Sequence, residues 1–87
     1  MAVVTLPPPL LRLFPAAPRQ VVVEAASVAE AIDALDRRWP GMRDRLCDST
    51  PRLRRHIAIY VGNERAALET RLPPDASLLV MTAITGG

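Results

Sequence analysis

The 87-residue chain has no lysine; its eleven basic residues are all arginine. It therefore offers no side-chain amine for isopeptide formation with a second copy of itself. It has one cysteine, Cys47, which excludes an internal disulfide framework and a cysteine-rich zinc site. Aromatic residues make up 3% of the chain. Trp39 and Tyr60 are isolated, and two lone rings do not make the stacking platform that single-stranded nucleic acid needs. The net charge of +2 is also too small for a dedicated nucleic-acid binder. No stretch approaches the ~20 apolar residues of a membrane span. Residues 1–11 are apolar, but they lack a basic leading segment and are broken by three prolines, which makes a poor secretory signal. The expectation is a cytoplasmic protein that binds neither membrane nor nucleic acid. Motifs of the types GxGxxG, P-loop, HExxH and CxxC are missing too, so no metal and no cofactor is expected on this chain. His56 has no nucleophile or carboxylate beside it in sequence and reads as a surface strand residue. Cys47 reads as a half-buried packing residue.

Proline, by contrast, is abundant. Nine prolines fall in clusters, and they mark the loops between elements. The composition is 49% hydrophobic and 23% charged, which is globular. A chain of this length makes one domain with a small core, here residues 1–87.

Residues 2–6 (AVVTL) are β-branched and apolar, a strand ended by Pro7. Residues 10–14 (LLRLF) suggest a short helical turn. Residues 19–24 (RQVVVE) make a second strand, antiparallel to the first. Ser27 and Glu30 fit a capping box, and a helix follows from Val28 to about Trp39. Val28, Ile32, Leu35 and Trp39 form its apolar stripe. Pro40 and Gly41 stop it. Residues 42–47 suggest one more helical turn, with Met42 and Leu46 inward. Residues 48–55 form a loop carrying the basic run Arg52, Arg54 and Arg55, expected in solvent or against an acidic or phosphate-bearing partner. Residues 56–61 (HIAIYV) alternate as a half-buried strand does, with Ile57, Ile59 and Val61 on one face. Gly62-Asn63 is a turn signal, and residues 64–68 suggest a short return strand. The last strand centres on residues 78–81.

The first and last strands are both apolar, so they belong side by side, parallel, at the centre of the sheet. One main helix then covers one face of a four- or five-stranded mixed sheet. This is an α+β, β-grasp arrangement. Leu78 and Val80 should face the helix. Leu79 and Met81, together with Tyr60 and Ile84, should lie on an open face suited to docking.

The final residues, ITGG, run from that strand into Gly86 and Gly87. Glycine has no Cβ, so such a tail is thin enough for a narrow channel. Residues 83–87 are read as a flexible reactive tail that reaches at most roughly 17 Å when extended. Gly87 would carry the reacting carboxylate, and Gly86 would give clearance.

With this order and this ending, the chain resembles the ubiquitin-like sulfur carriers of the MoaD/ThiS family. The resemblance is carried by IAIYVGNE at 57–64, LPPDASLLVMTAITGG at 72–87 and SVAEAIDAL at 27–35. HIAIYVGNE and the preceding LRR look most like the cysteine-synthesis branch. The family's usual turn before the last strand is Asp-Gly-Asp; here it is Pro74-Asp75-Ala76. The resemblance implies a carrier without catalytic residues of its own. An E1-like adenylating enzyme of the MoeB/ThiF type would use ATP and Mg²⁺ to activate the Gly87 carboxylate. A sulfur donor protein would then convert it to a thiocarboxylate. A sulfur-accepting synthase would take the sulfur, for cysteine through a pyridoxal-phosphate enzyme, otherwise for molybdopterin, thiamin thiazole or a secondary metabolite. Two other readings stand beside it: a ubiquitin-like modifier conjugated through Gly87, and a β-grasp interaction domain whose Gly-Gly ending is incidental.

Overall fold

The computed structural model describes residues 1–50 and 52–82. Five strands form one sheet: β1 (Ala2–Thr5), β2 (Gln20–Val23), β3 (Ile57–Val61), β4 (Glu64–Ala66) and β5 (Ala76–Thr82). Three helices accompany them: α1 (Pro8–Leu13), α2 (Val28–Arg38) and α3 (Met42–Leu46). The strand order is β2-β1-β5-β3-β4. β1 and β5 are parallel neighbours at the centre, and the other pairings are antiparallel. The expected β-grasp topology is therefore the one found, with five strands.

The reason lies in the alternation. Ala2 and Val4 on β1, and Ala76, Leu78 and Val80 on β5, are buried. Two such strands gain most when each has a neighbour on both sides and a helix over one face. α2 supplies that cover through Val28, Ala31, Ile32 and Leu35. Ser27 caps it, its Oγ accepting from the Glu30 amide at 3.2 Å. The Glu30 carboxylate accepts in return from the amide of Ala26 at 3.0 Å, one residue before the cap. Trp39 is the C-cap and only half-buried, so the core stripe ends at Leu35.

α3 is turned away from α2 at Gly41, whose φ of 100° is left-handed and suits a residue without a Cβ. Asp36 fixes this corner. Its Oδ1 accepts from the amides of Gly41 at 3.1 Å and Arg43 at 3.0 Å. Arg43 also pairs with Asp33. Met42 and Leu46 are fully buried, as their spacing predicts. α1 begins inside the proline run. Pro8 and Pro9 occupy its first turn, where a missing N–H costs nothing; Leu10 anchors it to the core.

Three expectations need correction. Cys47 is buried rather than half-buried, because it closes α3 and bridges to Leu53. His56 lies exposed in the turn before β3 rather than in the strand. The return strand stops at Ala66, because the Ala67 amide donates to Thr70 Oγ1 at 2.9 Å and the chain turns.

Candidate functional site

β5 is the strand from which the site is built. Its register places alternate residues on opposite sides of the sheet. Leu78 and Val80 face α2 and are 1% and 2% exposed; Leu79 and Met81 face outward and are 42% and 45% exposed. Leu79 is flanked by Thr5 on β1 and Tyr60 on β3. The row continues to Gln20 on β2 and Arg65 on β4. One line across the five strands thus has an apolar centre and polar ends. Met81 lies beside Ala58 in the next row toward the end of β5. In the other direction Val3 lies beside Val22, which is 48% exposed.

The structure therefore brings Tyr60, Leu79 and Met81 onto one open face. Tyr60 is half-buried there. Val22 and Val3 belong to the same face and were missed from the sequence. The signal was present: Val22 sits between two core valines, so alternation alone turns it outward. Ile84, Gly86 and Gly87 lie outside the described residues.

The end of β5 has its own surroundings. Thr82 pairs with Ile57 at the start of β3, next to Arg55 and His56. On the other side β1, running parallel, reaches its own end at Thr5. There a groove of about 260 Å³ is lined by Leu6, Pro7, Arg19, Leu79, Met81 and other residues. Thr82 itself lines that groove, and Arg55 and His56 immediately precede its partner Ile57. Among the described residues no group of three or more His, Cys, Asp or Glu is placed to hold a metal ion, and no helix is long and apolar enough to cross a membrane.

Two ionisable groups are displaced from their ordinary behaviour. Burial pushes the Cys47 thiol up, opposed by Arg43. Hydrogen bonds from the hydroxyl and amide of Thr50 hold the Asp48 carboxyl below the usual carboxylate range. Asp48 Oδ1 accepts from the Thr50 hydroxyl at 2.7 Å, the Thr50 amide at 2.9 Å and the Arg52 amide at 3.2 Å. Asp48 thus organises the arginine loop. Neither group lies on a strand of the sheet.

No protein-family model and no curated protein sequence matches the chain. Solved structures do. A chain of the Amycolatopsis orientalis BexX/CysO complex superposes with a TM-score of 0.87 at 28% identity, covering 100% of both chains. Mycobacterium tuberculosis CysO, described as an antigen, superposes at 0.85 with 23% identity, over 97% of this chain and 100% of that one. Haloferax volcanii SAMP1, a small archaeal modifier protein, superposes at 0.82 with 27% identity, over 99% and 98%. The fold is the ubiquitin-like β-grasp of these proteins, and the CysO branch to which residues 56–64 pointed is among its near structural neighbours.

Proposed function

We propose that this protein is a ubiquitin-like sulfur carrier whose reacting group is the carboxylate of Gly87. One structural observation and one feature of the sequence carry the reading. The chain matches a chain of the BexX/CysO complex over the whole length of both, and residues 83–87 continue from the central, doubly paired strand β5 into Gly86 and Gly87. Two glycines let the reacting end enter a channel too narrow for side chains, and the folded body stays outside.

The chemistry runs in two steps. A carboxylate is a poor electrophile, so an E1-like enzyme of the MoeB/ThiF type joins it to AMP from ATP, with Mg²⁺, releasing pyrophosphate. Hydrosulfide then attacks the acyl carbon, or a donor protein's persulfide does so and a thiol reductant cleaves the resulting acyl disulfide. AMP leaves, and Gly87 ends in a thiocarboxylate. This chain supplies the tail and a docking face made by Leu79, Met81 and Tyr60, with Ile84 beyond them; catalysis belongs to its partners. A CysO chain has been crystallised in a complex with BexX, which supports docking on a second protein. The acceptor we favour is a pyridoxal-phosphate synthase making cysteine, with molybdopterin, thiamin thiazole or a secondary metabolite as the other destinations. We place this chemistry in the cytoplasm.

The test is the free terminus. Deleting Gly87, or extending the chain beyond it with a tag that stays on, should abolish sulfur transfer and leave the melting temperature unchanged. Full sulfur transfer by the extended protein would refute the reading.

A second reading is favoured by the likeness to the small archaeal modifier protein: Gly87 is conjugated to lysines of other proteins. Higher-mass adducts that survive thiol treatment would support it over the carrier. A plain interaction domain would keep its function with residues 83–87 removed.

A further inference from the structure

Beside β4 lies a second groove, of about 350 Å³, which meets the open face only at Arg65. Arg52, Arg54 and Arg55 come to it from the loop after α3, and Arg65 comes from β4; Glu69 is the one acidic residue lining it. Four arginines against one glutamate, in a molecule of net charge +2, is a strong local concentration. Among the described residues none of the four makes an ion pair; the single salt bridge joins Arg43 and Asp33. Like charges gathered without an ion pair repel one another, and among the described residues only Arg54 of the four has a side-chain hydrogen bond to the rest of the fold, to the Asp44 carbonyl.

The loop is held in place rather than left to drift. Asp48 gathers the Thr50 and Arg52 amides. The Arg54 amide donates to the Leu46 carbonyl at 2.9 Å, and Arg54 Nε donates to the Asp44 carbonyl at 2.8 Å. A positioned guanidinium loses less freedom on binding than a free one. The floor of the groove is apolar, with the half-buried Leu53 and Leu68 beside Ala66. Among the described residues β4 is also an edge strand, paired only with β3.

We propose that this groove binds an extended acidic segment of a protein partner, one carrying an apolar residue among its carboxylates. The apolar floor is of no use to a free phosphate. No aromatic residue lines the groove, so nothing stacks a nucleobase. The position favours a protein as well. Ile57 lines the groove and pairs with Thr82 at the end of β5. An enzyme that engages the chain beyond Thr82 has this groove within reach. The proposal stands apart from the sulfur chemistry, since an acidic docking segment serves a carrier or a modifier equally.

The experiment titrates the isotopically labelled full chain with an acetylated, amidated peptide of glutamates around one leucine, followed by amide NMR shifts at low salt. Saturating shifts should cluster at residues 52–55 and 65–69. The affinity should fall as salt is raised, because the Debye length shrinks to about 10 Å at 0.1 M. Arg52→Glu with Arg55→Glu should weaken binding about tenfold, since several modest ionic attractions are removed together. Both residues are exposed, and Arg52→Gln with Arg55→Gln repeats the test should the reversed charges disturb the loop. Arg37→Glu with Arg38→Glu, on α2, should leave the affinity unchanged. The proposal is overturned if the shifts spread over all arginines or the α2 pair matters as much. It is overturned too if inorganic phosphate or oligothymidylate at equal concentration binds more tightly.

Discussion

Leu78 and Leu79 are adjacent, chemically identical, and on opposite sides of β5. Their placement requires them to behave differently. Leu78 is 1% exposed and sits in the core; Leu79 is 42% exposed on the open face. Truncating a buried leucine to alanine removes its transfer free energy and leaves a cavity, together about 2–5 kcal/mol. In a domain of this size that lowers the melting temperature by about 4–8 °C for each kcal/mol. Leu79→Ala leaves no enclosed cavity and loses only part of a side chain's burial, about 1 kcal/mol or less. Urea unfolding measures both, with the lone Trp39 as the fluorescent reporter. The midpoint should drop sharply for Leu78→Ala and slightly for Leu79→Ala, with similar slopes in both. If Leu79→Ala costs as much as Leu78→Ala, the faces of β5 are assigned wrongly and the docking surface goes with them.

Other expectations follow from the same geometry. Met81→Asp should weaken the complex with an activating enzyme in a pull-down or calorimetric assay, while stability changes by no more than about 1 kcal/mol, the spread of strand propensities. Burial raises the folded-state pKa of Cys47. Its contribution to stability is therefore fully present below the unfolded thiol's ordinary value of about 8.5 and is lost as pH rises through the folded value. Urea midpoints at pH 7 and above pH 9 should show that fall, and Cys47→Ser should flatten it. Asp75 sits at a left-handed φ of 58°, which costs most non-glycine residues about 1–2 kcal/mol and aspartate less. Asp75→Gly should therefore leave the melting temperature level or raise it; a marked drop would show that the Asp75 side chain holds the turn.

That last position shows what a sequence can disclose. The sulfur carriers that this chain resembles carry glycine in the turn before the last strand, where Asp75 stands here. The backbone explains the exchange, because aspartate is one of the few residues that tolerates the left-handed region. The parallel pairing of β1 and β5 was legible because both strands are apolar. Period two then fixed which of Leu78, Leu79, Val80 and Met81 face outward. Less legible were features set by distant partners. β5 extends to Ala76 and Thr82 because β1 pairs with its start and β3 with its end, which no local pattern records. The return strand ends early because the Thr70 hydroxyl captures the amide of Ala67. The arginine groove joins a loop to Arg65, and only the pairing of β3 with β4 brings the two together.

The central claim concerns one atom of Gly87. The protein should be incubated with an E1-like activating enzyme, ATP, Mg²⁺ and sulfide, and its intact mass recorded. A sulfur carrier should show a gain equal to the exchange of one oxygen for one sulfur, confined to the last peptide on fragmentation and lost when ATP is omitted. An unchanged mass with activating enzymes of the MoeB/ThiF type, under conditions in which each modifies its own carrier, would contradict it.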